Sequence, residues 1–166
     1  MRRIALLLAS AGLLAGLTAG PVAARDPGPT IVDTAIAVNA SSGEFDHLIA
    51  AVVRAGLVDT LDGRRQFTVF APTDAAFEDL FDVLGVAGVG DIPVGTLRAV
   101  LLYHVAPGER FSADVLGSSR IRTLSKQFLD PSVRGGVAYI DDARIIAPDI
   151  DVSNGVIHVI DAVLLP

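Results

Sequence analysis

The chain closes with Asn154-Gly155-Val156-Ile157-His158-Val159-Ile160-Asp161-Ala162-Val163-Leu164-Leu165-Pro166, NGVIHVIDAVLLP, and these residues decide the fold. Asn-Gly is the strongest short hairpin signal, because both residues tolerate the positive φ that a tight turn requires. The turn joins Ile150–Ser153 to the run Val156–Leu165. On a strand, Val156, His158, Ile160 and Ala162 share one face, and Ile157, Val159, Asp161 and Val163 share the other. Apolar neighbours on both faces predict a central strand covered on both sides. His158 and Asp161 then point apart and cannot form a catalytic pair within the strand. A buried imidazole needs one or two hydrogen bonds. A buried Asp161 would need donors, from backbone N–H groups or an arginine, to offset its desolvation. Both residues read as architecture.

Upstream, Asp141-Asp142 predicts a turn between strands Val137–Ile140 and Arg144–Ala147, and short strands begin near Arg120. The first half is helical. Ser41 three residues before Glu44 has the capping-box spacing. Phe45, Leu48, Ile49, Val52 and Val53 follow at helical spacing, with Gly56 as a left-handed stop. Asn39-Ala40-Ser41 also matches a glycosylation sequon, but a cap explains the serine better. Phe67–Phe70 reads as a strand ended by Ala71-Pro72, with Thr73 or Asp74 capping a helix that carries Phe77, Leu80 and Phe81. A Gly-rich stretch, 85–90, leads to Pro93 and a second apolar helix, which runs through Leu97, Val100 and Leu101 and breaks at Pro107-Gly108. Helices early and strands late predict a single α+β domain.

The N-terminus is of another kind. Met1-Arg2-Arg3, an uncharged run Ile4–Leu17 and small residues up to Ala24 make a signal peptide, with cleavage expected after Ala24. The apolar run falls short of the ~20 residues of a membrane span. Residues 25–30 read as a flexible leader and 31–166 as the domain. Removing residues 1–24 leaves 11 basic residues against 19 acidic ones, a net charge of −8. That charge disfavours nucleic acid and anionic lipid. There is no cysteine, so no disulfide framework. Lys126 is the one lysine among the arginines, which with abundant Ala, Val and Gly suggests a GC-rich bacterial gene.

Three segments share one resemblance. Phe67-Thr68-Val69-Phe70-Ala71-Pro72-Thr73-Asp74-Ala75-Ala76-Phe77 resembles the first signature of the fasciclin domain. Leu101-Leu102-Tyr103-His104-Val105-Ala106-Pro107-Gly108 resembles its central Tyr-His segment, and Asn154–Asp161 its second signature. The resemblance implies a wedge-shaped β-sheet core flanked by several helices. It further implies an exported protein, secreted or periplasmic, that works in adhesion or protein–protein interaction without catalysis or cofactor. A carrier for an apolar small molecule, a lipid or pigment held in a groove of the domain, is the alternative.

The resemblance also points to sites. In animal relatives the Tyr-His region is linked to integrin adhesion, which makes Tyr103 and His104 interaction candidates, although the apolar run around them favours packing. Pro148-Asp149-Ile150 resembles an adhesion segment of some animal relatives. Here Ala147 replaces an acid and Asp151 a methionine, so only the location of a surface site carries over. Thr73, Asp74, Asn154, Gly155, His158 and Asp161 are the structural signature. Asp149, Asp151 and Ser153 suggest calcium only weakly, because Asn154 and Ile160 stand where a calcium loop needs Gly and Glu. The sequence contains no nucleophile elbow, zinc-protease motif or phosphate loop. His47, His104 and His158 are too widely spaced for a metal-ligand pattern.

Overall fold

The computed structural model describes residues 28–166, so the predicted signal peptide lies outside the described residues. The described end of the predicted leader is tied down. The Pro29 carbonyl accepts from Ser153 N at 3.0 Å, and Thr30 is the N-cap of helix α1 (Ile31–Ser42). Thr30 Oγ1 accepts from Asp33 N at 3.2 Å while the Asp33 carboxylate accepts from Thr30 N at 3.1 Å. The capping box is therefore here, not at Ser41–Glu44. Ser41 and Ser42 close α1, their hydroxyls donating to the Val38 carbonyl, and Gly43 at φ 68° turns the chain out of the helix.

Helix α2 (Asp46–Arg54) is capped from outside its own segment. The Asp74 carboxylate accepts from Asp46 N at 3.2 Å and His47 N at 2.9 Å. Asn39 accepts from Phe45 N at 3.0 Å and donates to the Asp46 carboxylate at 2.7 Å, so the sequon residue serves the α1–α2 turn. A short helix α3 (Val58–Leu61) follows Gly56, whose φ is 65°.

Strand β1 (Phe67–Pro72) is buried throughout and runs two residues past the predicted end. Proline is tolerated there because the next ladder donor is Thr73 N, bonded to the Ile160 carbonyl at 3.2 Å. Thr73 Oγ1 caps α4 (Asp74–Leu84), accepting from Ala76 N at 3.4 Å. A 3₁₀ turn, Val89–Asp91, then leads to α5 (Val94–Tyr103). The rest of the chain is a three-residue strand β2 (Val105–Pro107), helix α6 (Ser112–Gly117), a ribbon of β3 (Ile121–Arg122) and β4 (Phe128–Leu129), and four strands. These are β5 (Pro131–Arg134), β6 (Val137–Ile140), β7 (Ala143–Val152) and β8 (Gly155–Ile160).

The main sheet has the order β2-β1-β8-β7-β6-β5. β1 and β8 pair in parallel and the other neighbours are antiparallel. β8 therefore lies inside the sheet and is buried at every position. Alternation divides the apolar side chains between two cores. Phe67, Val69, Ile157 and Val159 pack with α1, α2, α4 and α5 on one face. Phe70 and Ile160 pack with Tyr103, Ile121, Leu129, Ile140 and Leu164 on the other. This is the α+β architecture expected, a curled six-stranded sheet with helices around it. Among the described residues, no helix is long and apolar enough to cross a membrane.

Candidate functional site

Parallel register sets Phe70 beside His158, whose rings stack with centroids 5.5 Å apart. His158 is fully buried, and both ring nitrogens are used. Nδ1 accepts from Asp149 N at 3.2 Å, so the proton sits on Nε2, which donates to the Arg110 carbonyl at 2.9 Å. Desolvation lowers the pKa of this imidazole, against the opposing pull of the Arg110 carbonyl and the Asp149 carboxylate. One neutral ring thereby ties two surface segments to the sheet.

The first segment is a bulge in β7, where pairing with β8 slips between Ala147 and Ile150. Asp149 takes the left-handed φ of 60° there, and Pro148 and Asp149 are exposed. Partial burial works against the charge on Asp149, but hydrogen bonds from Ser112 N and Ser112 Oγ hold its carboxyl below the usual range. Ile150 is half-buried and packs toward the helical core. The second segment runs from Gly108 to Ser112. Arg110 N donates to Thr68 Oγ1 at 2.9 Å, and Thr68 Oγ1 donates to the Gly108 carbonyl at 2.8 Å. Phe111 is exposed and adjoins Ser112 as Pro148 adjoins Asp149. The Ser112–Asp149 bonds therefore hold together the two segments that carry these exposed apolar residues.

Arg110, Phe111 and Ser112 carried no sequence signal beyond their place after Pro107-Gly108. Their role comes from partners 37 to 48 residues away.

Tyr103 and His104, the other interaction candidates, are buried at 6% and 2% exposure. The end of α5 drives them inward with the apolar residues around it. Tyr103 Oη donates toward the Asp141 carboxylate at 2.9 Å and the Phe128 carbonyl at 3.1 Å, and burial with that carboxylate pushes its phenol up to about 12. His104 Nδ1 donates to the Val100 carbonyl at 2.8 Å, and Nε2 accepts from Leu164 N at 2.9 Å. Desolvation, outweighing the Val100 hydrogen bond, lowers its pKa from 6.5 to about 4. Between those values the unfolded chain binds a proton that the fold refuses, so stability falls with pH across that window and levels off below it. The loss expected from His104 is about 3 kcal/mol. Urea midpoints at pH 7 and pH 4 should differ accordingly, and the His104 proton NMR signals should not titrate near pH 6.5. Ordinary titration of His104 near 6.5 would contradict the buried geometry.

The signature residues are accounted for similarly. Asn154 is buried, its Oδ1 accepting from Ile31 N and its Nδ2 donating to the Leu61 and Gly63 carbonyls. Asp161 lies just beyond β8, is exposed, and accepts from Arg144 N at 2.8 Å. A carrier would need a chamber. The apolar cavity between α1 and α2, lined by Ile31, Ala35, Leu48, Val52 and Val69, measures about 140 Å³. That matches the roughly 150 Å³ known to hold a benzene ring. It falls below the roughly 300–1,000 Å³ of small-molecule pockets, so it does not enclose a lipid or pigment.

Known proteins are similar along most of the chain. Protein sll1483 of Synechocystis sp. is 38% identical over 156 residues, covering 87% of this chain and 77% of that protein. Immunogenic protein MPT70 of Mycobacterium tuberculosis is 32% identical, covering 95% and 85% respectively. Among solved structures, the FAS1 domain pair from the insect cell adhesion molecule fasciclin I superposes with a TM-score of 0.69 at 19% identity. The match covers 84% of this chain and 52% of that one, so this chain spans about half its length. The fasciclin domain profile matches residues 43–166, through both signatures and the Tyr-His segment; the chain belongs to the fasciclin domain family, whose members act in adhesion and are not enzymes.

Proposed function

We propose that this chain is an exported adhesion domain, secreted or periplasmic, that binds a protein or matrix partner through the face carrying Phe111 and Pro148. The observation that carries this reading is the double use of His158, which fixes Arg110 and Asp149 by their main chains and leaves the neighbouring side chains facing outward. A rigid display of exposed apolar groups is what an adhesive surface needs, because little ordering entropy is then lost on binding. Cleavage after Ala24 would leave the domain without its apolar N-terminal segment, free of the membrane.

The test is attachment of host cells or matrix to the immobilised mature domain. Replacing Phe111 and Pro148 together by serine is expected to reduce attachment at least tenfold while the melting temperature stays within a few degrees of wild type. Unchanged attachment by a folded double variant would reject this face.

A further inference from the structure

Between the Gly108–Ser112 segment and α6 lies an open cleft of about 570 Å³, lined by Gly108, Glu109, Arg110, Ala113, Asp114 and Ser118. Arg110 is anchored at both ends of its main chain, through Thr68 Oγ1 and His158 Nε2. Its side chain is not. Nε is buried and meets no hydrogen-bond acceptor, and among the described residues no carboxylate lies within ion-pair distance of the guanidinium. A buried N–H left without a partner is destabilising, and the fold could avoid that by turning a flexible side chain into water. Glu109 and Asp114 line the same cleft but do not answer it. The Asp114 carboxylate accepts instead from Phe111 N at 3.3 Å.

We propose that Arg110 is a receptor for a carboxylate on the partner protein, an Asp or Glu side chain that meets the guanidinium as a planar fork. A carboxylate fits because its two oxygens match the paired donors of arginine. Glu109 and Asp114, in a domain of net charge −8, repel phosphate-rich ligands and favour a carboxylate that arrives next to a Lys or Arg. The recognised element is thus an acid–base pair on the partner's surface. The proposal rests on the adhesion reading, since Arg110, which lines the cleft, precedes Phe111 in the same anchored segment, and it names the chemistry that the adhesive surface selects.

The experiment follows the Nε–H resonance of Arg110 in ¹⁵N-labelled mature domain during three titrations. The probes are a capped Asp-Lys dipeptide, a capped Asn-Lys dipeptide and inorganic phosphate. Asp-Lys is expected to shift the resonance in a saturable way, with at least tenfold weaker effects from the other two. In Arg110→Gln and Arg110→Lys, the amides of Gly108 and Ala113 should lose their response to Asp-Lys, with melting temperatures near wild type.

An equal response to Asn-Lys or phosphate, or a retained response in Arg110→Gln, would overturn the proposal. Absence of any shift would do the same. If attachment depends on Phe111 and Pro148 but Arg110 ignores Asp-Lys, only the receptor role falls. If the wild-type domain attaches to nothing, the adhesion reading falls first.

Discussion

Replacing Gly155 with alanine is expected to leave the chain unfolded at physiological temperature. Gly155 opens β8 with φ 149°, a conformation open to glycine and strained for other residues. A Cβ there would overlap the Phe67 carbonyl oxygen and lie 2.8 and 2.9 Å from the Phe67 carbonyl carbon and nitrogen. Those are backbone atoms of the parallel partner strand, paired with Gly155 in register. Relief requires β1 and β8 to separate, and these two strands carry both cores. The expected loss exceeds about 4 kcal/mol, the range where one substitution consumes most of a domain's stability. Circular dichroism and limited proteolysis would show it. Gly43→Ala is the matched control: φ is 68° and nothing stands within 4 Å of the added methyl, so only about 1 kcal/mol is expected. A Gly155→Ala variant with a melting temperature like that of Gly43→Ala would refute the close approach.

The neighbouring residue gives the second large effect. Asn154→Asp is expected to cost about 4 kcal/mol at neutral pH, although it changes one atom type. Asn154 Oδ1 accepts from Ile31 N at 2.8 Å, a bond aspartate can keep. Its Nδ2 donates to the Leu61 carbonyl at 2.6 Å and the Gly63 carbonyl at 3.0 Å, and a carboxylate would meet both with repulsion. Burial would raise the pKa of the new carboxyl, so its protonated form could donate to one carbonyl. Measured against wild type at the same pH, the deficit should therefore shrink as pH falls. A deficit independent of pH, or below about 1 kcal/mol, would mean that Asn154 is not the bolt between α1 and the loop after α3.

The terminal hairpin was legible in the sequence because its signals are local. The Asn-Gly pair announced a tight turn, but the turn lies one residue earlier, at Ser153-Asn154: Asn154 takes no positive φ, and Gly155 already pairs with Val152 as the first residue of β8. The apolar residues on both faces of the run that follows announced a strand covered on both sides, and β8 is buried at every position. Helices α4 and α5 were legible by their periodicity. Helix α1 was not. Ile31, Val32, Ala35, Ile36 and Val38 share one side of it, but Ala37 and Ala40 on the other side blur the polar contrast, and its capping box at Thr30 sits inside a stretch that reads as leader. Ser41 and Glu44 carried the right spacing but stood across the glycine that ends a helix. Strand β2 escaped because three residues have no period, and it exists only by pairing with β1.

The candidate site was half visible. The Pro148-Asp149-Ile150 location could be reached through resemblance, but Asp149 spends its carboxylate on Ser112 rather than offering it outward. Tyr103 and His104 are inward residues whose apolar surroundings already said so. Arg110 and Phe111 were invisible because their meaning depends on which strand they cross, and only the assembled sheet supplies that.

The two segments held by His158 are gripped at Arg110 O and Asp149 N, atoms that every residue possesses (proline lacks only the N–H). The imidazole's grip is therefore indifferent to the side chains at positions 109, 111 and 148, while Asp149 and Ser112 are fixed by their own bonds to each other. Substitutions at positions 109, 111 and 148 would change what this surface presents while the imidazole's two main-chain bonds stay as they are. What the surface displays is thus separable from the frame that displays it. The same property makes this face a natural place to install new recognition by design.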